Sequence, residues 1–277
     1  MGTSLLQTRP AGALPGSWSG SIGSLIRKLI AGQIRLTRKF DELLPSQHLV
    51  DGNDDFIDDV VPQYTLAGAV VYDVGGGKNP LIDAERKAQL GLKIIGLDID
   101  SRELAAAPPC RYDRTICADI VNYRGARDAD LVICQALLEH VLDTGQALEA
   151  IASILKPGGQ ALLFVPARNA VYARINLILP QKLKQRILFG IYPHMRRSQG
   201  FPAHYDRCTP AALEALALRK GLRAVERRVY FQSDYFRFCF PIHALWRLWV
   251  LLFRSLAGDQ AAETFSVVFR KEEGAAG

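Results

Sequence analysis

A chain of 277 residues, 49% apolar and 22% charged, is long enough for one large domain or one domain with a cap, and its composition excludes a disordered chain. Its five cysteines, at 110, 117, 134, 208 and 239, show no CxxC spacing and join no Cys/His cluster, which argues against a zinc module and reads as reduced thiols. The net charge of +6 is unevenly placed: residues 167–255 hold 16 Lys and Arg against 4 Asp and Glu, while 51–60 holds five Asp and no base.

Residues 1–20, rich in Gly, Ser and Pro, are expected to be disordered and lack the apolar run of a signal peptide. Ser24 to Phe40 reads as a basic amphipathic helix that could lie on a membrane, cap a site or pack on its own domain. From residue 69 apolar runs alternate with helical segments. Strands are predicted at Ala69–Val74, Lys93–Leu97, Thr115–Cys117, Leu131–Cys134 and Gln160–Val165, with helices such as Leu81–Leu90 and Gly145–Leu155 between them. That alternation implies a parallel sheet covered on both faces.

After Pro166 the rhythm changes. Basic helical pieces are expected at Tyr172–Leu179 and Gln181–Phe189, then a helix from Thr209 to Lys220 with Thr209 as N-cap, Pro210 in its first turn and Gly221 at its end. Strands follow at Arg223–Phe231 and Thr264–Arg270, with an inserted aromatic helix at 233–257 between them. No uninterrupted run of about 18 apolar residues occurs, so no spanning helix is expected. Phe238–Leu256 comes nearest, interrupted by Pro241, His243, Arg247 and Arg254; as a helix it could lie in a bilayer interface and send Arg247 and Arg254 toward headgroups, or equally dimerise or cover the core.

The stretch from Val71 to Pro80 carries the chemistry. A strand enters a glycine loop and then a helix expected to begin near Pro80. Glycines let a backbone approach a ligand, and a helix start offers N–H groups. A Walker A loop needs GxxxxGK[ST], which is absent. A dinucleotide loop needs GxGxxG, and its sixth position here is Pro80. A nucleoside without phosphates would use such a loop with an acid just before it, and Asp73 stands there.

With Asp73, Gly75 and Gly77 in that order, the sequence resembles the class I S-adenosylmethionine (SAM)-dependent methyltransferases, with Asn79 where the family has a third glycine. The resemblance extends through four later signals: Gly96-Leu-Asp-Ile-Asp100, Ala118-Asp-Ile120, the run from Asp130 to Val141, and Leu155-Lys-Pro-Gly-Gly159. It covers residues 70–166 closely and the last two strands more loosely. It implies SAM as cofactor and an α/β, Rossmann-like doubly wound seven-stranded sheet, mostly parallel with an antiparallel last strand, plus helical cap insertions. It also implies a cofactor site of Asp73, Gly75, Gly76, Gly77 and Asn79; Asp98 on the ribose with Ile99 beside it; Asp119 on the adenine with Ile120 as its apolar neighbour; and Gln135 near the methionine part. Domain organisation is then an N-terminal extension, 1–50, and a methyltransferase domain, 51–277, with cap insertions at about 167–208 and 233–262.

Methyl transfer to a hydroxyl needs alignment and a base. His140 and His204 are the candidate catalytic residues. Some relatives bind a metal through Glu-x-x-Glu-His, but Ala136 replaces the first Glu, so no metal is assigned. The basic and apolar caps point to a small-molecule, glycan or lipid-linked anionic acceptor and away from nucleic acid. The expected location is cytoplasmic with peripheral membrane contact. The competing readings are an NAD(P)-dependent Rossmann oxidoreductase and a non-catalytic SAM-fold binding module.

Overall fold

A computed structural model of the chain describes residues 21–179 and 202–273. Within these limits the chain forms two compact units, one of residues 52–168, 202–229 and 264–273, the other of 21–51, 169–179 and 230–263. The expected disorder of 1–20 and helix at Gln181–Phe189 lie outside the described residues.

The first unit is built on a seven-stranded sheet: β1 (Val70–Val74), β2 (Lys93–Asp98), β3 (Arg114–Cys117), β4 (Ala129–Gln135), β5 (Leu155–Pro166), β6 (Leu222–Tyr230) and β7 (Thr264–Lys271). Their order is β3-β2-β1-β4-β5-β7-β6. β1 runs parallel to β2 and β4, β2 to β3, and β4 to β5, whereas β7 is antiparallel to β5. The chain steps outward from β1 to β3 and then returns to β4 on the other side of β1. This switch point is where open α/β sheets bind ligands, beyond the carboxyl ends of their strands. Val71, Tyr72, Val74, Leu131, Val132 and Ile133 are all buried, as strands covered on both faces require.

The helices begin where local chemistry starts them. Asp83, Asp100 and Asp143 each accept a backbone N–H with the side chain, capping α4 (Ala84–Leu90), α5 (Ser101–Ala105) and α6 (Thr144–Ile154). Pro210 opens α8 (Pro210–Leu218), but the Thr209 hydroxyl, expected as a cap, makes no capping bond. Two boundary shifts have a local cause. The helix after the glycine loop starts at Ala84, not near Pro80, because the Leu81 N–H is taken by Asp73 Oδ2 (3.0 Å) and Asp83 caps Arg86. β5 starts at Leu155, not Gln160, because Leu155 already pairs with Ala129 across an irregular step in the register.

A helical stretch absent from the sequence reading precedes β1: α2 (Gly52–Asp55), a π-turn (Phe56–Val60) and α3 (Val61–Tyr64). Phe56 is fully buried against Phe164 (ring centroids 5.5 Å apart), while Asp55 and Asp59 reach Arg228 on β6.

The second unit contains α1 (Ser21–Asp41), α7 (Val171–Ile178) and α9 (Phe240–Ala257). Arg247, which would reach outward were this helix laid in a bilayer interface, is 2% exposed. Its Nε donates to Asp41 Oδ1 (2.9 Å), Nη1 to the Phe231 carbonyl (2.8 Å) and Nη2 to that of His48 (3.1 Å). Arg254 likewise turns to the His48 ring and lies over Phe231. Four guanidinium nitrogens find acceptors here that a hydrocarbon surface could not provide. No helix among the described residues is long and apolar enough to cross a membrane.

Candidate active site

Parallel register brings the tips of four strands to one edge. Val74 lies beside Leu97 and Cys134, and Asp98 beside Cys117, so Gly75, Asp98, Asp119 and Gln135 follow or end adjacent strands. Asp73, one residue before the end of β1, is buried and organises the loop. Its Oδ2 accepts the Leu81 N–H (3.0 Å) and the Tyr112 hydroxyl (3.4 Å). Burial pushes its pKa up to about 6, and the neighbouring Asp98 charge adds to this against those two donors. A Cβ on Gly76 would meet the Asp73 carboxylate at 2.5–2.6 Å, so only glycine fits over it.

Gly77 has φ +51, and a Cβ there would stand 3.2 Å from Asp98 Oδ2. Asp98 Oδ1 accepts the Asp100 N–H (2.9 Å), so its other oxygen faces the glycine loop. Burial holds the Asp98 pKa above the ordinary carboxylate value, and the charges of Glu103 and Asp100 add to that. A carboxylate in this position gains from hydroxyl donors, the chemistry a ribose provides. Asp119 spends Oδ1 on the Val121 N–H (3.1 Å) at the start of a short 3-10 turn. Ile120 is buried, so its side chain serves the core, whereas Ile99 is 52% exposed and supplies apolar surface beside Asp98. Asn79 closes the loop with its N–H on the Gly76 carbonyl (2.9 Å). Gln135 Nε2 donates to Asn53 Oδ1 (2.6 Å) on α2.

His140 ends the 3-10 turn after β4 (Leu138–His140). Its Nδ1 lies 3.0 Å from the Pro202 carbonyl, and its Nε2 3.6 Å from Glu139 Oε1. The Glu139 carbonyl accepts the N–H groups of both His204 (2.7 Å) and Tyr205 (3.0 Å). The loops bearing the two candidate histidines are therefore stitched together. The Glu139 side chain is buried with Oε2 unpartnered, and burial raises its pKa. Ala136 stands in left-handed backbone (φ +50) in the position where a metal-binding relative has its first Glu.

Three contributors were not anticipated from sequence. Tyr112 packs over Gly96, where a Cβ would meet its ring at 2.8 Å, and its hydroxyl also reaches the Gly77 carbonyl (3.2 Å). Arg111 holds the Pro80 carbonyl (2.7 Å), and Asn53 holds Gln135. An aromatic residue facing a glycine in the adjacent strand was the available signal for Tyr112.

The arrangement suits SAM on its own geometry: a glycine cradle, a carboxylate oxygen facing it, and a second acidic tip on the next strand. Comparison with known proteins agrees. Residues 48–227 match a family model described as a methyltransferase domain. The ubiquinone biosynthesis O-methyltransferase of Cupriavidus pinatubonensis is 26% identical over 208 residues, 69% of this chain and 78% of that protein. The protein of that name from Ralstonia nicotianae is 33% identical over 124 residues, and there the chain spans only 50% of its relative's length. Among solved structures, a chain of the complex between the Haloferax volcanii Trm112 methyltransferase activator and its methyltransferase gives a TM-score of 0.56 at 14% identity, covering 91% of this chain and 100% of that one. The phosphoethanolamine N-methyltransferase 2 of Haemonchus contortus, solved with SAM, gives 0.50 at 14% identity over 87% and 57% of the two chains.

Proposed function

This chain belongs to the methyltransferase-domain family and is a SAM-dependent methyltransferase, and we propose that it methylates an oxygen of a small-molecule, glycan or lipid-linked anionic acceptor with His140 as general base. The NAD(P) reading falls with the family.

When bound, SAM supplies a methyl group on a positively charged sulfur. Asp98 would hold the ribose hydroxyls with Ile99 alongside, and Asp119 the adenine amino group at the Ile120 turn. Gly75, Gly76, Gly77 and Asn79 would form the backbone cradle that Asp73 braces, and Gln135 would face the methionine end.

The observation that carries the catalytic reading is the contact of His140 Nδ1 with the Pro202 carbonyl. A carbonyl can only accept, so Nδ1 bears a proton, and in the neutral tautomer the basic nitrogen would be Nε2. That nitrogen can take the proton released by an acceptor hydroxyl. Glu139 lies beside it, and a proton on His140 draws the Glu139 pKa back down, so the carboxylate would favour the imidazolium as it forms. His204, on the stitched neighbouring loop, is the second proposed substrate contact. Relatives named for O-methylation support an oxygen acceptor, and the basic balance of residues 167–255 supports an anionic one.

Tritiated-methyl SAM should be offered with the lipid and the aqueous extracts of cells. Label in the organic phase identifies a lipid-linked acceptor, and label in the aqueous phase a soluble one. His140→Gln should cut turnover by about 100-fold or more while SAM affinity, read by calorimetry, stays unchanged. Wild-type turnover in that variant would remove His140 as the base, and absence of labelled product in both extracts would remove the acceptor classes named here.

A further inference from the structure

We propose that the outward faces of α1 and α9 form a docking surface for an anionic phospholipid bilayer, with both helices lying in the plane of the headgroups. On α9, Ile242, Leu245, Trp249, Leu252 and Leu256 are 46–78% exposed. At 100° per residue these five fall within about 80° of one another, a single stripe along the helix. The helix has no acidic residue, and both its arginines are turned inward to Asp41, His48 and Phe231, so the stripe is free of charge. On α1, Leu25, Leu29 and Leu36 are likewise exposed and lie within about 40°. Exposed Lys28, Arg35 and Lys39 flank them on one side, and α1 has no acid before Asp41.

The two helices are tied together. Phe40 meets the Phe240 ring edge-on at 5.8 Å, and Gln33 Oε1 accepts the Phe240 N–H at 2.9 Å. An apolar stripe this long is unusual on a soluble surface and marks an interaction site. The charge identifies the occupant. A second copy packed on this face would bring the α1 cations toward one another, whereas anionic headgroups complement them and acyl chains take the leucines. The proposal does not depend on the identity of the acceptor or of the base.

Flotation of the full chain with vesicles of mixed phosphatidylglycerol and phosphatidylcholine, and of phosphatidylcholine alone, tests it. The mixed vesicles should carry the protein, and Trp249 emission should shift to the blue. Leu245→Glu with Trp249→Glu should weaken that binding by at least about tenfold. Lys28→Glu with Arg35→Glu should reduce it to the level on neutral vesicles. These positions are exposed, so SAM affinity and circular dichroism should match the wild type, confirming folded variants. Equal flotation by wild type and variants would overturn the proposal. So would failure of the wild type to float, including the case of a dimer that Leu245→Glu dissociates.

Discussion

Asp73 keeps its proton to a higher pH in the folded chain than in the unfolded one, about 6 against an ordinary 3.8, because burial penalises its charge. Between those values the folded state binds more protons. The contribution of Asp73 is therefore intact below about pH 4 and is lost as pH rises through 6. About two pKa units correspond to about 3 kcal/mol. Asp73→Asn retains an acceptor for the Leu81 N–H and cannot ionise. Its stability relative to wild type should therefore climb by up to about 3 kcal/mol from pH 4 to pH 7 in urea unfolding. A difference that is flat with pH would show that Asp73 does not titrate in this way. Asp98 serves the ligand. Asp98→Asn keeps an oxygen for the Asp100 N–H but replaces the charge facing Gly77. SAM affinity measured by calorimetry should fall by about tenfold or more, with the unfolding midpoint of the unliganded protein little changed.

At the scale of elements, the sheet was legible and the orientation of one helix was not. All seven strands were located: β1, β2, β4 and β5 as apolar runs, because central parallel strands bury both faces, and the largely exposed β3 and β6 by their place in the alternation; the acidic residues at the strand tips gave the proposed site. The stretch before β1 was hidden: Asp54, Asp55, Asp58 and Asp59 dominate it, and the Phe56–Val60 core spacing is easily lost among them. Asn53 was equally invisible, because its role comes from Gln135, brought near only by folding. α9 was recognised as a helix, but whether its arginines face outward or into the fold stayed open. The partners of Arg247 sit at 41 and 48, some 200 positions earlier in sequence, and no local pattern reveals them. Burial alone would raise the Asp41 pKa, but the His243 hydrogen bond and the Arg247 charge bring it below the ordinary value. Arg247→Met would leave that carboxylate buried beside His243 alone. The expected loss is about 3–5 kcal/mol in urea unfolding. Pairing it with Asp41→Leu should recover much of the loss, because no uncompensated charge then remains. If the double variant is as unstable as the single, the loss reflects packing rather than a stranded charge.

For the whole molecule, chain order creates the site. β1 to β3 run outward, so Asp73, Asp98 and Asp119, distant in sequence, stand at adjacent strands, and β4 returns on the other side of β1 to bring Gln135 to the same edge. Ligand binding there requires the sheet, and the unfolded chain offers no such arrangement. SAM must therefore stabilise the fold by mass action. At about 100 times its dissociation constant the gain is about 2.7 kcal/mol, or about 5–10 °C in the unfolding temperature of a chain of this size. NAD at equal concentration should give no shift, since Pro80 stands at the sixth position of the glycine loop, where a dinucleotide loop needs glycine. Asp98→Asn should move the SAM titration to higher concentration and leave its plateau slope against log concentration intact, because the ligand still binds only the folded state. A shift given equally by NAD, or by SAM to wild type and Asp98→Asn at the same concentration, would place the adenosine somewhere other than the strand tips that carry Gly75 and Asp98.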